Sequence, residues 1–517
     1  MSIFQENVKK RRNNNQFDLS YDAKLSTQFG QLTPFYLEET LPGDRVKLSS
    51  EIKTELAPLL SDLNHLIDVH IDYFYVTYDS IWDNFRDFIS GGEKNDQSPT
   101  LPYIELNETN KSFFKTGTLA DYFGIPCWDK NATAPTITGT RQLNALPFKA
   151  YQHIFNHWYR DQDLENEVDI EKGVDGLMTI SAMATLRRAA WQDLFTTCRP
   201  EAQKGDPVNF LAREAAGDPT HRTWNDTNIS PGAPTLNGAG TTTTLADAYM
   251  ASSTGQALDL YATVAQLRKG EALQRFYEAM QRGGNRYNEY LNSMWGVDDQ
   301  DSRLHMPQLI HSSDHPLKIS EVITTTNADN TTTDDNTAGQ AYGRATAYGQ
   351  GHVNFTAPDY GVIIGIVKFQ PRSAYMTPLR EYWTRTDRLE WYTDHLAEIG
   401  EAPVYNRELY TDVTDPANSD GDLEFGYHHR YHGFKQRHDQ ISGDFKYGLN
   451  YRHIARDIGA TPALNSSFVK IGATAYDQTT LTRIFNVIDP NLDYIWLHVY
   501  NDATYSRDVK YNSTPLN

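Results

Sequence analysis

Two histidines one helical turn apart are the most suggestive metal-binding pair in this sequence. His153 and His157 stand at positions i and i+4, a spacing that lets two imidazoles share one zinc ion on a helix. A zinc protease of this type needs a glutamate directly after the first histidine as its general base, and Ile154 stands there instead. The apolar stripe of this helix lies roughly opposite both histidines. We therefore expect the pair to face solvent or a neighbouring subunit, and we predict no metal site and no catalytic residue.

A second segment, residues 425–437 (FGYHHRYHGFKQR), interleaves aromatic rings with cations. This pattern can hold single-stranded nucleic acid, because aromatic faces stack unpaired bases at about 1–3 kcal/mol each while cations contact phosphates. The same residue types dominate protein interfaces, so an aromatic strand or loop packed at an interface is the alternative that we favour. The candidate DNA contacts in this segment are Tyr427, Arg430, Tyr431, Lys435 and Arg437.

Residues 1–16 form a basic amino-terminal arm. Four consecutive cations, Lys9, Lys10, Arg11 and Arg12, precede three asparagines, and such a run cannot bury itself in a core. The arm either contacts DNA or acts as a solubilising tail. It has no apolar core of signal-peptide type, and the chain has no continuous apolar stretch of about 18 residues, so nothing marks it for secretion or membrane insertion.

Charge and missing motifs exclude several classes of function. A net charge of −20 argues against a protein whose whole surface binds nucleic acid, so any phosphate contact must be local. The usual phosphate-binding, dinucleotide-binding, hydrolase and CxxC redox motifs are absent, and no cofactor is predicted. The two cysteines, Cys127 and Cys198, are too few for a disulfide framework or a zinc cluster, and two buried thiols are favoured over a bridge.

The periodicity of apolar residues predicts mainly β structure. Apolar and small residues alternate with polar ones from Phe17 to Phe29, which indicates a half-buried strand. Further strands are predicted at Arg45–Leu56 and His65–Val76, and the nearly continuous apolar run Tyr360–Phe369 indicates a strand buried on both faces. Strand-like segments are predicted again from Phe468 onward.

Helices are predicted in the insertions between these strands. One contains the apolar stripe from Phe148 to Trp158, and another runs from Val264 to Met280 before a glycine pair. A third is predicted after Pro378, through Trp383, Leu389 and Trp391. We expect residues 17–517 to form a single discontinuous domain, with a variable exposed insertion at about 206–258 and a polar loop at about 321–350.

Ten short segments follow one another in an order that is specific as a series. They are residues 17–46 (FDLSYDAKLSTQFGQLTPFYLEETLPGDRV), 81–92 (IWDNFRDFISGG), 118–126 (TLADYFGIP), 145–162 (ALPFKAYQHIFNHWYRDQ), 199–205 (RPEAQKG), 283–297 (GGNRYNEYLNSMWGV), 361–367 (GVIIGIV), 397–409 (AEIGEAPVYNREL), 425–431 (FGYHHRY) and 462–468 (PALNSSF). In this order they resemble the major capsid protein, protein F, of the Microviridae, and in particular its gokushovirus-like branch.

The resemblance implies an eight-stranded antiparallel jelly roll of viral capsid type with large loop and helix insertions. It implies self-assembly of sixty copies into a T=1 icosahedral shell that encloses a circular single-stranded DNA genome on its inner face. The further partners implied are internal or pilot proteins, DNA-binding proteins of the virion, and a host surface receptor near the insertion at 206–258. The location implied is the virion, assembled in the cytoplasm of a bacterial host.

Two other functions fit an aromatic-rich β protein. A β-sandwich carbohydrate-active enzyme would use aromatic rings as sugar platforms and two carboxylates as acid and base, and it would need a pocket in which they converge. A glycan-binding adhesion module would use exposed Thr and Asn loops and would stay unassembled. The ordered series of segments favours the non-enzymatic capsid protein over both.

Overall fold

The computed structural model describes most of the chain. The described residues are 15–90, 99–205, 213–214, 260–261, 264–283, 306–323, 341–414, 419–486, 489 and 491–511. The cations of the basic arm therefore lie outside the described residues, as do residues 324–340 of the polar loop and all of the insertion at 206–258 except 213–214.

Strands occur at intervals along the whole of the described chain, and the long ones among them show alternating side-chain burial. In chain order the strands are β1 Asn15–Asp18, β2 Tyr21–Thr27, β3 Thr33–Thr40, β4 Arg45–Leu56, β5 Ile67–Thr77, β6 Tyr103–Leu106, β7 Arg141–Asn144, β8 Arg213–Glu214, β9 Leu260–Tyr261, β10 Gln308–Pro316, β11 Lys318–Ile323, β12 Ala341–Thr356, β13 Gly361–Pro371, β14 Glu401–Tyr405, β15 Glu424–His429 and β16 Ile495–Arg507.

Helices occupy the connections between the strands. The α-helices are Tyr78–Ile81, Phe85–Ser90, Leu119–Tyr122, Leu146–Ile154, Ile180–Met183, Val264–Gly283, Glu381–Thr384, Asp394–Ala397, His432–Lys435, Ser466–Val469 and Ala475–Thr482, and a π turn at Phe155–Tyr159 continues the fourth of them. The 3-10 turns are Lys111–Phe113, Arg388–Glu390, Asn406–Glu408, Ser419–Asp422, Gly443–Lys446 and Asn450–Arg452.

Two antiparallel sheets contain the long strands. In one sheet β16 pairs with β1 and β2 on one side and with β4 on the other, and β12 and β11 follow. The other sheet has the order β10-β5-β13-β3. If β1 and β2 count as one broken strand, and β10 and β11 as one strand that changes sheet at Leu317, eight strands remain, which is the arrangement of a jelly roll. The predicted class, mainly β with antiparallel sheets, is confirmed.

The core lies between the sheets and under a helical layer. On β4 every second side chain points inward, including Val46, Leu48 and Ile52. Across the two sheets, the hydroxyls of Tyr36 on β3 and Tyr505 on β16 are 2.7 Å apart and hydrogen-bonded. These contacts make the interior continuous from one sheet to the other.

The strand β13 is buried along its whole length, as its apolar run predicted. It is central in its sheet, and helical residues cover the sheet's other face. Tyr159 of this helical layer contacts two residues of the neighbouring strand β5. Its hydroxyl donates a hydrogen bond to Asp72 at 2.6 Å, and its ring packs edge-on against Phe74 with centroids 5.9 Å apart. The prediction of a helix carrying Phe148 and Phe155 is confirmed, because both side chains are buried in this layer.

Three predictions about local structure were wrong. The strand expected at Phe17–Phe29 is divided into β1 and β2, because Asp18 accepts hydrogen bonds from the backbone and hydroxyl of Ser20 and turns the chain. The strand-like stretch expected from Phe468 begins with helices, and only β16 at its end is a long strand. The helix expected after Pro378 is three separate short turns.

The chain divides into two compact units. One comprises Met1–Ala202 with Val297–Asn517, and the other comprises Gln203–Gly296. The second unit contains the predicted helix at Val264–Gly283 and the short pair of β8 with β9. Strands β11 and β12 also extend into both ends of the range expected for the polar loop at 321–350.

A separate core lies beyond the sheets and surrounds a buried arginine. The Arg456 guanidinium is fully buried and donates hydrogen bonds to both carboxylate oxygens of Asp477, at 2.9 and 3.2 Å, and to the carbonyl of Phe468 at 2.8 Å. Its carbon centre also lies 4.3 Å from the ring centroid of Phe468 and 5.3 Å from that of Trp191. Arg456 therefore joins residues from distant parts of the chain.

Both cysteines are free thiols, as favoured from the sequence. Cys198 is buried and Cys127 is partly buried. Burial raises the pKa of Cys127 to about 11, so this thiol stays protonated at neutral pH. Among the described residues, no helix is both long enough and apolar enough to span a membrane.

Candidate functional site

The segment that interleaves rings and cations forms a strand, a sharp turn and a short helix. Strand β15 pairs with β14, and the chain then turns at Tyr431, whose φ of 62° lies in the left-handed region. The helix His432–Lys435 follows directly. Residues 425–429 of the segment are therefore an extended strand, and the remainder forms a turn and a short helix.

Two of the predicted base-stacking residues already contact other residues of the chain, and one of them, Tyr431, is buried. Tyr431 is 5 % exposed, and its ring lies 5.3 Å from that of Tyr392 and 6.1 Å from that of Phe434. Tyr427 is partly buried, and its hydroxyl donates a hydrogen bond to Glu424 at 2.5 Å, an acceptor that raises the pKa of Tyr427 to about 12. Tyr431 therefore offers no free face to a nucleotide, and we do not propose it as a stacking residue.

The cations of the same segment are more accessible. Lys435 and Arg437 are exposed, whereas Arg430 is partly buried with its guanidinium 5.5 Å from the ring of Tyr431. Cations at this exposure can contact phosphate oxygens without any rearrangement of the core. The exposed cations Lys435 and Arg437 thus lie at and just after the end of the short helix, whereas Arg430 packs beside the buried ring of Tyr431.

A buried histidine and carboxylate anchor this segment. The Nε2 atom of His432 lies 2.8 Å from the Oε2 atom of Glu408, and both residues are buried. Burial alone lowers the pKa of His432, but the hydrogen bond and the charges of Glu408 and Glu381 raise it above its ordinary value. Burial and the neighbouring His429 lower the pKa of His428 to about 4 instead. The buried pair of His432 with Glu408 holds the turn in place.

The histidine pair was predicted to face solvent or a neighbouring subunit, and His153 does not face solvent, whereas His157 is partly exposed. His153 is 1 % exposed, and the rings of His153 and His157 meet edge-on with centroids 4.4 Å apart. The prediction failed for His153 because the helix is covered on both sides, so the face opposite its apolar stripe is also buried. Across the described residues, no group of three or more His, Cys, Asp or Glu side chains is arranged to hold a metal ion.

A cavity of about 260 Å³ lies beside the helical layer. Its walls include Asp72, Lys368 and Trp158, and the Asp72 carboxylate already accepts hydrogen bonds from Tyr159 and Ser312, each at 2.6 Å. Burial lowers the pKa of Lys368. Asp72 is the one carboxylate among the residues that line this cavity, so the cavity lacks the acid pair that a glycosidase requires.

Comparison with known proteins identifies the family to which this chain belongs. A model of the family described as "Capsid protein (F protein)" matches residues 5–516, which is nearly the whole chain. The chain belongs to this capsid protein family. The F-protein family consists of shell components, so the protein is a structural part of a phage virion and not an enzyme.

Relatives of this F-family protein come from three phages. The capsid protein VP1 of Bdellovibrio phage phiMH2K is 27 % identical over 503 residues, covering 90 % of each chain. The capsid protein VP1 of Chlamydia phage 1 is 25 % identical and covers 88 % of each chain, and that of Spiroplasma virus 4 is 25 % identical over 87 % of this chain and 86 % of its own. The resemblance to the gokushovirus-like Microviridae is confirmed, and the protein is a major capsid protein of a small single-stranded-DNA phage.

Proposed function

We propose that sixty copies of this protein assemble into a closed T=1 icosahedral shell around a circular single-stranded DNA genome. The observation that carries the proposal is a jelly-roll pair of sheets in a chain matched from end to end by a capsid family. A contact that repeats by rotation and closes gives a finite particle, whereas one that does not close gives a fibre. Electron microscopy of the purified chain tests this proposal.

The genome is bound on the inner face of the shell without sequence preference. The basic arm at Lys9–Arg12 and the exposed cations Lys435 and Arg437 contact phosphates, with Arg430 and Tyr427 at the edge of the same segment. An acidic chain with a net charge of −20 keeps the particle soluble while these local cations face the DNA. Internal or pilot proteins and DNA-binding proteins join the particle in the bacterial cytoplasm, and the insertion at 206–258 contacts a host receptor.

The salt dependence of DNA binding measures the arm's contribution. Replacing Lys9, Lys10, Arg11 and Arg12 by alanine removes up to four phosphate contacts, and each contact contributes about −0.7 to the slope of log Kobs against log salt for single strands. The slope is therefore expected to become less steep by about 3. Fluorescence anisotropy of the full-length chain with a mixed-sequence oligonucleotide, between about 50 and 200 mM NaCl, gives both slopes.

Two further variants separate local cations from general charge. The double variant Lys435→Ala with Arg437→Ala is expected to reduce the slope by about 1.4, since it removes two contacts. Its matched control is Lys24→Ala with Lys53→Ala, two lysines on the sheets that already pair with Asp22 and Glu55. An equal change in slope in the control would show that Lys435 and Arg437 are not specific phosphate contacts. No change in slope in the arm variant would show the same for Lys9, Lys10, Arg11 and Arg12.

A further inference from the structure

A surface formed by residues 380–399 and the helix His432–Lys435 exposes large apolar side chains. The sequence predicted one helix in the first segment, running through Trp383, Leu389 and Trp391. Instead Trp383 is 72 % exposed, and Trp391 and Leu389 are each more than half exposed. We call the following six residues the aromatic surface: Tyr382, Trp383, Leu389, Trp391, Tyr392 and Phe434.

Direct contacts hold the two segments of this surface together. The backbone N–H of Gly433 donates a hydrogen bond to Glu381 at 3.2 Å, and the Arg385 guanidinium lies 3.8 Å from the ring centroid of Phe434. Arg385 in turn pairs with Glu381 at 3.1 Å. The ring of Tyr392 also reaches Phe434 through the buried ring of Tyr431. These contacts join the helix His432–Lys435 to residues 380–399, and the buried ring of Tyr431 lies between the rings of Tyr392 and Phe434.

The exposed apolar area matches that of a stable subunit contact. A large aromatic side chain buries about 150–250 Å² of accessible surface when it is fully covered. Six side chains that are about half exposed therefore leave about 600 Å² of surface exposed. This is at the upper end of what single-chain proteins leave exposed, about 300–600 Å². A standard interface buries about 800 Å² on each partner, of which roughly 57 % is apolar, so the area suffices for one partner's half of an interface.

The charges of the surface favour a protein partner over DNA. Residues 380–399 contain three arginines and five carboxylates, and the helix His432–Lys435 adds one lysine, so the formal charge of the two segments is 3 + 1 − 5 = −1. Five carboxylates beside the rings repel phosphate groups, whereas DNA-binding surfaces concentrate cations. Trp, Tyr and Arg are the residue types that contribute most to protein–protein affinity, and all three occur here.

We infer that the aromatic surface is a contact between copies of this chain in the assembled shell. The inference rests on the proposed function, because a capsid protein needs such contacts, and it specifies which residues make one of them. Trp383 and Trp391 are the two anchors, covered by a neighbouring copy. Lys435 and Arg437 lie at the border of the surface, where a contact to DNA and a contact to protein can meet.

Photo-crosslinking identifies what covers the surface. Particles are assembled from the full-length chain with benzoylphenylalanine at position 383 and irradiated, and the products are separated by denaturing electrophoresis. A band at twice the chain mass is expected, with the crosslink mapped by mass spectrometry to another copy. A crosslink to DNA, to a different virion protein, or to nothing would overturn the inference while leaving the shell itself intact.

Charge substitution tests the energetic role of the same residues. The variant Trp383→Asp with Trp391→Asp is expected to lower particle yield by at least about tenfold, because buried aromatic anchors dominate interface affinity. Its thermal midpoint before assembly stays within a few degrees of the parent chain, since both side chains are exposed in the single chain. The control Tyr447→Asp changes a residue that is 75 % exposed outside the surface. Equal loss of particles in the control, or normal yield in the double variant, would contradict the inference.

If the parent chain itself forms no particles, the proposed function fails. If the parent chain forms particles and position 383 gives no crosslink to another copy, only this inference fails. The two outcomes are therefore distinguishable in one series of experiments.

Discussion

Replacing Arg456 by alanine is expected to lower the free energy of unfolding by about 3–5 kcal/mol, because it leaves the Asp477 carboxylate buried without its counter-charge. Both residues are fully buried, and the guanidinium supplies two hydrogen bonds to this carboxylate. The substitution also removes the cation above the ring of Phe468, at 4.3 Å. Urea denaturation of the unassembled full-length chain, followed by circular dichroism, measures the change.

Two controls make the Arg456 result specific. The double variant Arg456→Met with Asp477→Leu removes both charges, so it is expected to lose clearly less stability than the single variant. Arg275→Ala breaks an exposed pair with Glu271 at 2.8 Å and is expected to cost less than about 1 kcal/mol. A loss of under 1 kcal/mol for Arg456→Ala, or a double variant that is less stable than the single one, would refute the role of this buried pair.

The second large effect is expected at Gly30, where a side chain would collide with the core. Gly30 has a φ of +74°, and a Cβ atom there would lie 2.4 Å from the Cβ of the buried Ile471. Gly30→Ala combines left-handed strain of about 1–2 kcal/mol with overpacking of about 1–3 kcal/mol. We expect a total loss of about 2–5 kcal/mol in the free energy of unfolding, read from the urea midpoint.

Gly124 offers a matched control for the collision. Its φ of +80° carries the same backbone strain, but no described atom lies within 4 Å of the added Cβ. Gly124→Ala is therefore expected to lose only the strain, about 1–2 kcal/mol. Equal losses at the two glycines would show that the junction of Gly30 with Ile471 relaxes freely, contrary to the close packing described above.

Local periodicity predicted those strands in which apolar residues recur in a regular pattern. Residues Arg45–Leu56 form β4 over the predicted range, and the continuous run in β13 is buried on both faces. The pairing of the strands could not be predicted from local periodicity. Strand β16 pairs with β4 across more than four hundred residues, and no local pattern encodes that partner. The resemblance to a capsid family supplied the jelly roll instead.

The failures at Trp383, Trp391 and His153 share one physical cause, which is that a sequence does not state what covers a side chain. At Trp383 and Trp391 a single helix was predicted, but the chain forms separate short turns there and both rings lie on the surface of a single chain. At His153 the polar residue was expected outside and is buried, because a second layer covers the helix. The mixture of Trp, Tyr and Arg at 380–399 was the available signal of an interface, since core stripes rarely contain so many charges.

Assembly of the purified chain is the most direct test of the shell. The full-length protein, expressed without other phage proteins, is examined by negative-stain electron microscopy and by light scattering after size-exclusion chromatography. Closed isometric particles of sixty subunits, or pentameric and trimeric intermediates that convert to them, are the predicted result. A chain that stays strictly monomeric under every native condition, at all protein and salt concentrations, would contradict the account.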